Sequence, residues 1–187
     1  KWFSITISSP QSGYLSTLMT DITERKESEE KLKFLTFYDS LTGLYNRAYF
    51  EEELKRFDTF RQLPLSVIMG DINGLKLAND VFGHSEGDKL LIRIAEKLKN
   101  ACRSEDLIAR WGGDEFVILL PKTDEKTANE ICNRIMKACM EEDNSLINTS
   151  IALGSTTKNK PEEDISKLII EAENRMYKNK LIESKKA

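Results

Sequence analysis

The chain has 187 residues, of which 40% are hydrophobic and 32% charged. That is enough apolar material for one ordinary domain with a short appendage, and it argues against a disordered chain. Lys and Arg number 28 against 31 Asp and Glu, a net charge of -3, which makes a broad footprint on nucleic acid a poor expectation.

Taken in chain order, residues 2–7 and 14–22 are β-rich and flank a turn-forming cluster from Ser8 to Gly13. Two strands alone are marginal in water, so they read as the end of a sheet whose remainder lies elsewhere. Residues 23–37 switch to charged helix formers, with Leu32, Phe34 and Leu35 as the apolar stripe; they read as a connector helix, either solvated or paired as a short parallel coiled coil. From Asp39 one compact unit begins. Asn46 is placed to cap a helix over about 47–60, and Pro64 precedes an apolar strand, Leu65 to Ile72.

A helix of about 85–102 carries Leu90, Leu91, Ile94, Ala95 and Leu98 at helical spacing. Leu107–Arg110 and Glu115–Leu120 flank Trp111-Gly112-Gly113-Asp114, a β-hairpin with a glycine turn, where Trp111 reads as packing at the hairpin root. A helix of about 124–141, a strand of about 147–155 and a helix of about 164–182 complete the unit. One tight hairpin among alternating strands and helices implies an α/β (α+β) fold, a mixed central sheet flanked by helices.

Cys102, Cys132 and Cys139 lack metal-ligand spacing and read as reduced thiols of a cytoplasmic protein. No apolar run reaches the roughly eighteen residues of a membrane helix, so no membrane contact is expected from this segment. Lacking an initiator Met or a signal-peptide pattern, it reads as a piece of a longer protein, whose whole is free to be membrane-anchored.

The chemistry-bearing residues are acidic. Asp71 closes the apolar strand, and Asp114 and Glu115 sit on a hairpin whose glycines allow close approach by a ligand. Together with the Ile72 carbonyl, these carboxylates make the hard oxygen cage that Mg²⁺ prefers when it neutralises a nucleotide triphosphate.

These residues resemble the GGDEF family, the diguanylate cyclases. Gly112-Gly113-Asp114-Glu115-Phe116 is the intact signature, and four further blocks match in order: Asp39 to Arg47, Asp71 to Asp80, Phe82 to Asp88, and Ala172 to Lys180. The resemblance spans about 39–184. Asp21 to Lys26 likewise resembles the exit of a PAS sensor domain. The resulting division is a PAS remnant at 1–22, a connector helix at 23–38 and a GGDEF domain at 39–187.

The resemblance implies a palm-like fold similar to nucleotidyl cyclases and polymerases, and condensation of two GTP molecules into cyclic di-GMP with release of pyrophosphate, across a homodimer. Asp71, the Ile72 carbonyl, Asp114 and Glu115 then hold Mg²⁺ or Mn²⁺, with Asp71, Asp114 and Glu115 as the catalytic carboxylates. Asn79 and Asp88 read the guanine edge, His84 lies near base and ribose, and Lys76 and Lys180 contact phosphate. A carboxylate at Asp88 suits guanine because it accepts from N1–H and the 2-amino group. Arg103 and Asp106 match the family's inhibitory RxxD pair, which binds the product, and Arg134 is a secondary contact there.

The sequence departs from the family pattern at Asn73 (usually Asp), Leu75 (usually Phe) and Ala78 (usually a larger aliphatic). Glu183-Ser184 also replaces a Gly-Arg ending, so one phosphate contact is expected to be lost. A different class of function stays open: a catalytically weak or inactive GGDEF receptor domain that binds GTP or cyclic di-GMP and regulates a partner.

Overall fold

The computed structural model describes residues 1–9, 12–13, 15–140 and 150–183. It divides into two units, Lys1–Phe37 and Tyr38–Ala187. In the first, strands β1 (Phe3–Ser8) and β2 (Ser16–Asp21) pair antiparallel, with Phe3 opposite Asp21 and Ser8 opposite Ser16. Every residue of both strands is exposed. Helix α1 (Thr23–Phe37) follows and carries the surface ion pairs Arg25–Glu29 and Lys26–Glu29. The backbone N–H of Trp2 donates to Thr23 Oγ1 at 2.8 Å, which ties the hairpin to the helix start.

The second unit is a five-stranded mixed sheet in the order β3-β5-β6-β4-β7. Its strands are β3 (Tyr45–Asn46), β4 (Leu65–Ile72), β5 (Leu107–Gly112), β6 (Glu115–Leu120) and β7 (Ile151–Lys158). Among the described residues, only the β3–β5 pair is parallel. The helices are α2 (Arg47–Phe57), α3 (Leu75–Phe82), α4 (His84–Ala101), α5 (Glu125–Met140) and α6 (Ile165–Glu183). Asn46 caps α2, its side-chain oxygen accepting from the Tyr49 N–H at 2.9 Å.

Strand periodicity divides the core into two layers. Along β4, Leu65, Val67 and Met69 pack with Phe50 and Leu54 of α2 and Ala172 and Met176 of α6. Ile68 and Ile72 point the other way, against Leu90, Ile94 and Leu98 of α4 and Ile131 and Ile135 of α5. Each fully buried aliphatic side chain stabilises the domain by about 1.5–3 kcal/mol. On α6, close packing depends on Gly154, because a methyl group there would stand 2.2 Å from the Met176 nitrogen and 2.3 Å from the Ala172 oxygen. Cys132 and Cys139 are buried and Cys102 is half-buried, all three as free thiols. Burial pushes the Cys102 and Cys132 thiols up to about 12 and Cys139 up to about 11.

One element differs from the sequence expectation: the last strand runs 151–158 instead of 147–155, and residues 147–149 lie outside the described residues. The shift follows from Lys158, whose buried ammonium is paired with Asp58 Oδ1 at 2.5 Å and so keeps a polar strand end inside the fold.

Candidate active site

Parity along the strands decides where the acidic residues go. Asp71 shares the phase of Leu65, Val67 and Met69, so its side chain leaves β4 on the face that α6 covers. Glu115 is its direct partner across the β4–β6 ladder, and residues opposite one another present their side chains on the same face. Lys180 of α6 reaches this pair, its Nζ 2.5 Å from Asp71 Oδ1. Burial, with the charge of Asp114 added, holds the Asp71 carboxyl above its ordinary range despite the bond from Lys180. Glu115 is raised as well, first by burial and then by the charges of Asp71, Glu173 and Asp114.

Asp114 occupies the turn between β5 and β6, and its carbonyl accepts from the Ile72 N–H at 3.0 Å. It lines a cleft of about 400 Å³ together with Lys76, Asn79, Asp80, His84, Asp88, Arg110 and Gly113. The cleft gathers Lys76, Asn79, His84, Asp88 and Asp114, whereas Asp71, Glu115 and Lys180 meet under α6. Among the described residues, no three carboxylate, imidazole or thiolate side chains form a closed metal cage. The donor set nonetheless fits a divalent cation, since two opposed hard-oxygen ligands, each raised first by burial and then by neighbouring negative charge, are relieved by positive charge between them.

Gly87 lets α4 approach Asn79 closely, so the amide lies against the helix backbone. Asn73, where the family usually has Asp, donates from Nδ2 to Ser150 Oγ at 3.1 Å, and its backbone N–H donates to the Ser150 carbonyl at 3.0 Å. That ties the β4–α3 turn to the start of β7. Ser184 lies outside the described residues.

Arg110 is a site residue that sequence reasoning missed. Its guanidinium donates to the Gly113 carbonyl from Nε at 3.1 Å and Nη2 at 2.6 Å, and from Nη1 to both oxygens of Asp39 at 3.3 Å. One side chain thus pins the hairpin turn to the Asp39-Ser-Leu-Thr turn, where Asp39 also accepts from the Thr42 N–H and hydroxyl. Burial works to raise Asp39, but these bonds and the Arg110 charge outweigh it and leave the carboxyl below its ordinary value. Trp111 packs edge-on to Phe50 at 5.9 Å, with Arg47 4.2 Å above its ring, which suits a hairpin root.

Arg103 and Asp106 lie at the far end of α4, where the Arg103 N–H donates to Asp106 Oδ2 at 2.7 Å. Burial chiefly raises the Asp106 carboxyl above its ordinary value. Both residues line a second cavity, of about 310 Å³. Arg134 donates to the Ala101 carbonyl from Nε at 3.0 Å and Nη2 at 2.5 Å, which satisfies an end carbonyl of α4, and its charge also works to lower the Asp106 carboxyl.

A helix-flanked mixed sheet with opposed carboxylates at one end and a polar cleft beside its hairpin turn defines a palm-like α/β domain. Residues 36–186 match the family described as diguanylate cyclase, GGDEF domain, and the chain belongs to that family. It is 38% identical over 122 residues to the diguanylate cyclase DgcM of Escherichia coli K12, covering 63% of this chain but only 30% of that protein's length. Diguanylate cyclase SiaD from Pseudomonas aeruginosa, crystallised with its activator SiaC, superimposes with a TM-score of 0.72 at 27% identity, covering 84% of this chain and 63% of that one. A microbial GGDEF domain solved with bis-(3,5)-cyclic di-GMP gives a TM-score of 0.70 at 30% identity, over 80% of this chain and 94% of that one.

Proposed function

We propose that this domain is a diguanylate cyclase, which joins two GTP molecules into cyclic di-GMP. The observation that carries the reading is the convergence of Lys76, Asn79, His84, Asp88 and Asp114 on one cleft beside the opposed Asp71–Glu115 pair. In each half-reaction the 3′-oxygen of one GTP bonds to the α-phosphorus of the other, the bond to the β-phosphate bridge breaks, and pyrophosphate leaves.

Asn79 and Asp88 hold the guanine edge, His84 lies beside base and ribose, and Lys76 offers a cation to the phosphates. Lys180 serves a phosphate when it parts from Asp71. The raised Glu115 carboxyl suits it to accept the 3′-hydroxyl proton, because a base is most effective when its pKa lies nearer the working pH. Asp71, Glu115, Asp114 and the Ile72 carbonyl are the groups to hold Mg²⁺ or Mn²⁺, which when bound neutralises phosphate charge. One domain binds one GTP, so the in-line geometry requires a second copy facing the first. Arg103 and Asp106 form a product site through which cyclic di-GMP inhibits.

The domain reading belongs to the same proposal: residues 1–22 end a PAS sensor, 23–38 connect, and 39–187 catalyse. The exposed apolar side chains Phe3, Ile5, Ile7, Leu18 and Met19 on the hairpin support a sheet that continues into such a sensor. No helix among the described residues is long and apolar enough to cross a membrane, and the segment is assigned to the cytoplasm, where GTP is available.

The receptor reading draws on one observation, that Lys180 already occupies a carboxylate oxygen of Asp71. Incubation with GTP and Mg²⁺ separates the two. Cyclic di-GMP that forms with wild-type protein and not with Asp114→Ala supports the cyclase; bound but unconverted GTP favours the receptor.

A further inference from the structure

The faces of helix α3 have different surroundings. Leu75 and Ala78 turn to the core. Lys76, Asn79 and Asp80 line the cleft beside Asp114. Leu77 and Val81 share the remaining face, one helical turn apart. They are 67% and 60% exposed, and Phe82 beside them is 47% exposed. Single apolar side chains on a surface need no explanation, but a contiguous group on the rim of a binding cleft marks a contact surface.

The reaction indicates what covers it. A cleft that holds one GTP needs the 3′-oxygen of a second GTP at its α-phosphorus, so a second cleft has to be brought against the first. The rim of one cleft then meets the rim of the other. The charges suit that occupant. Lys76 and Asp80 are exposed, one turn apart on the flank between the apolar face and the cleft. Two α3 helices packed antiparallel about a two-fold axis set the Lys76 end of one flank against the Asp80 end of the other, and do so twice. The same arrangement leaves both clefts on one side of the helix pair. Parallel packing about a two-fold axis would place them on opposite sides, where their nucleotides could not meet.

We propose that Leu77, Val81 and Phe82 form the surface on which a second copy of this domain docks for the reaction, with Leu77 of each copy against Val81 of the other. The inference rests on the cyclase reading. So small a contact suits an encounter that forms around bound GTP and parts to release product.

Specific activity followed against protein concentration, at saturating GTP and Mg²⁺, tests it in Leu77→Lys and Val81→Asp. Both substitutions replace exposed side chains, so each variant is expected to melt as wild type and to keep wild-type GTP affinity. Specific activity at low protein concentration is expected to fall roughly tenfold in each. An equal mixture should regain activity several-fold, because a mixed dimer pairs the introduced cation with the introduced anion and keeps one Leu77–Val81 contact. Wild-type activity curves in both variants would overturn the docking surface. A loss of turnover matched by a loss of GTP affinity would overturn it too, by placing the residues in the cleft. A mixture no more active than the average of its parts would overturn the antiparallel pairing. If the wild-type chain forms no cyclic di-GMP, the cyclase reading itself is wrong, and sedimentation with a non-hydrolysable GTP analogue decides the surface separately. Dimers in wild type and in the mixture, but in neither variant alone, would sustain it. A wild-type chain that stays monomeric, or variants that dimerise as wild type does, would overturn it.

Discussion

Gly87 lies in the first turn of α4, directly behind the Asn79 amide. A methyl group at this position would stand 1.9 Å from Asn79 Oδ1, 2.9 Å from its Cγ and 3.3 Å from Leu75 Cδ1. The clash is with the end of a short side chain, so Gly87→Ala is expected to swing Asn79 out of its place on the cleft wall. Two effects of opposite sign follow. Replacing Gly by Ala inside a helix stabilises it by about 0.5–1 kcal/mol. Losing one hydrogen bond to the base costs about 0.5–1.5 kcal/mol of binding, or roughly two- to tenfold in affinity. The variant is therefore expected to melt no lower than wild type and yet bind GTP several-fold more weakly. A double-mutant cycle makes the test specific: in an Asn79→Ala background, Gly87→Ala should cost no further affinity. Unchanged GTP affinity in Gly87→Ala, or a full additional loss in the double variant, would refute the argument.

Asp114→Ala is expected to abolish cyclic di-GMP formation with the fold intact, read by product chromatography and circular dichroism; wild-type turnover would remove Asp114 from the machinery. Asp88→Ser should narrow the preference for GTP over ATP in competition binding, because an ionised Asp offers only acceptors, which match guanine's donors and not adenine's N1. Asp71 and Glu115 are raised in the folded domain, so their contribution to stability is present below the ordinary carboxylate range and fades as pH rises through the raised values. Mg²⁺ should accordingly raise the melting temperature at neutral pH and lose that effect on acidification, and Asp71→Asn should melt no lower than wild type without metal. Asp39 has the opposite sign: its stabilisation holds above the ordinary carboxylate value and is lost as pH falls through the lowered one, so Asp39→Asn should flatten the acid limb of a pH–stability curve.

Much of the fold was legible because its signals are local. The helix over 23–37 and the buried strand over 65–72 lie where composition and a mostly apolar run place them. Helix α3 packs Leu75 and Ala78 against the core and leaves Leu77, Val81 and Phe82 exposed, so its core-facing stripe is short. The Arg110–Asp39 tether spans 71 positions, so no local pattern announces it, although Asp39 stands in one of the matched blocks and Arg110 directly precedes Trp111. Arg134 has a structural partner that no local pattern announces: its fork bonds the Ala101 carbonyl, which lacks an intrahelical partner at the end of α4, while its charge also bears on Asp106.

The two faces of the sheet divide the work of the site. Parity sends Asp71 and Glu115 under α6, where burial and the charge of Asp114 make their own charges costly, and the turn delivers Asp114 to the cleft beside α3 and α4. The β5–β6 hairpin joins the two sides, since Asp114 and Glu115 are neighbours in sequence with side chains serving different faces. The position of its turn is therefore a shared coordinate, and two contacts hold it: the Ile72 N–H to the Asp114 carbonyl, and the Arg110 fork to the Gly113 carbonyl. Because Arg110 also grips Asp39, the turn that opens the domain is mechanically linked to the turn that carries Asp114 and Glu115. The Arg110 guanidinium joins residues 39–43 to the hairpin turn, beside the β3–β5 ladder that pairs Asn46 with Arg110. That makes Arg110 a positioning residue. Arg110→Lys keeps the charge but not the planar fork that bridges two acceptors, and it should depress turnover more than GTP affinity.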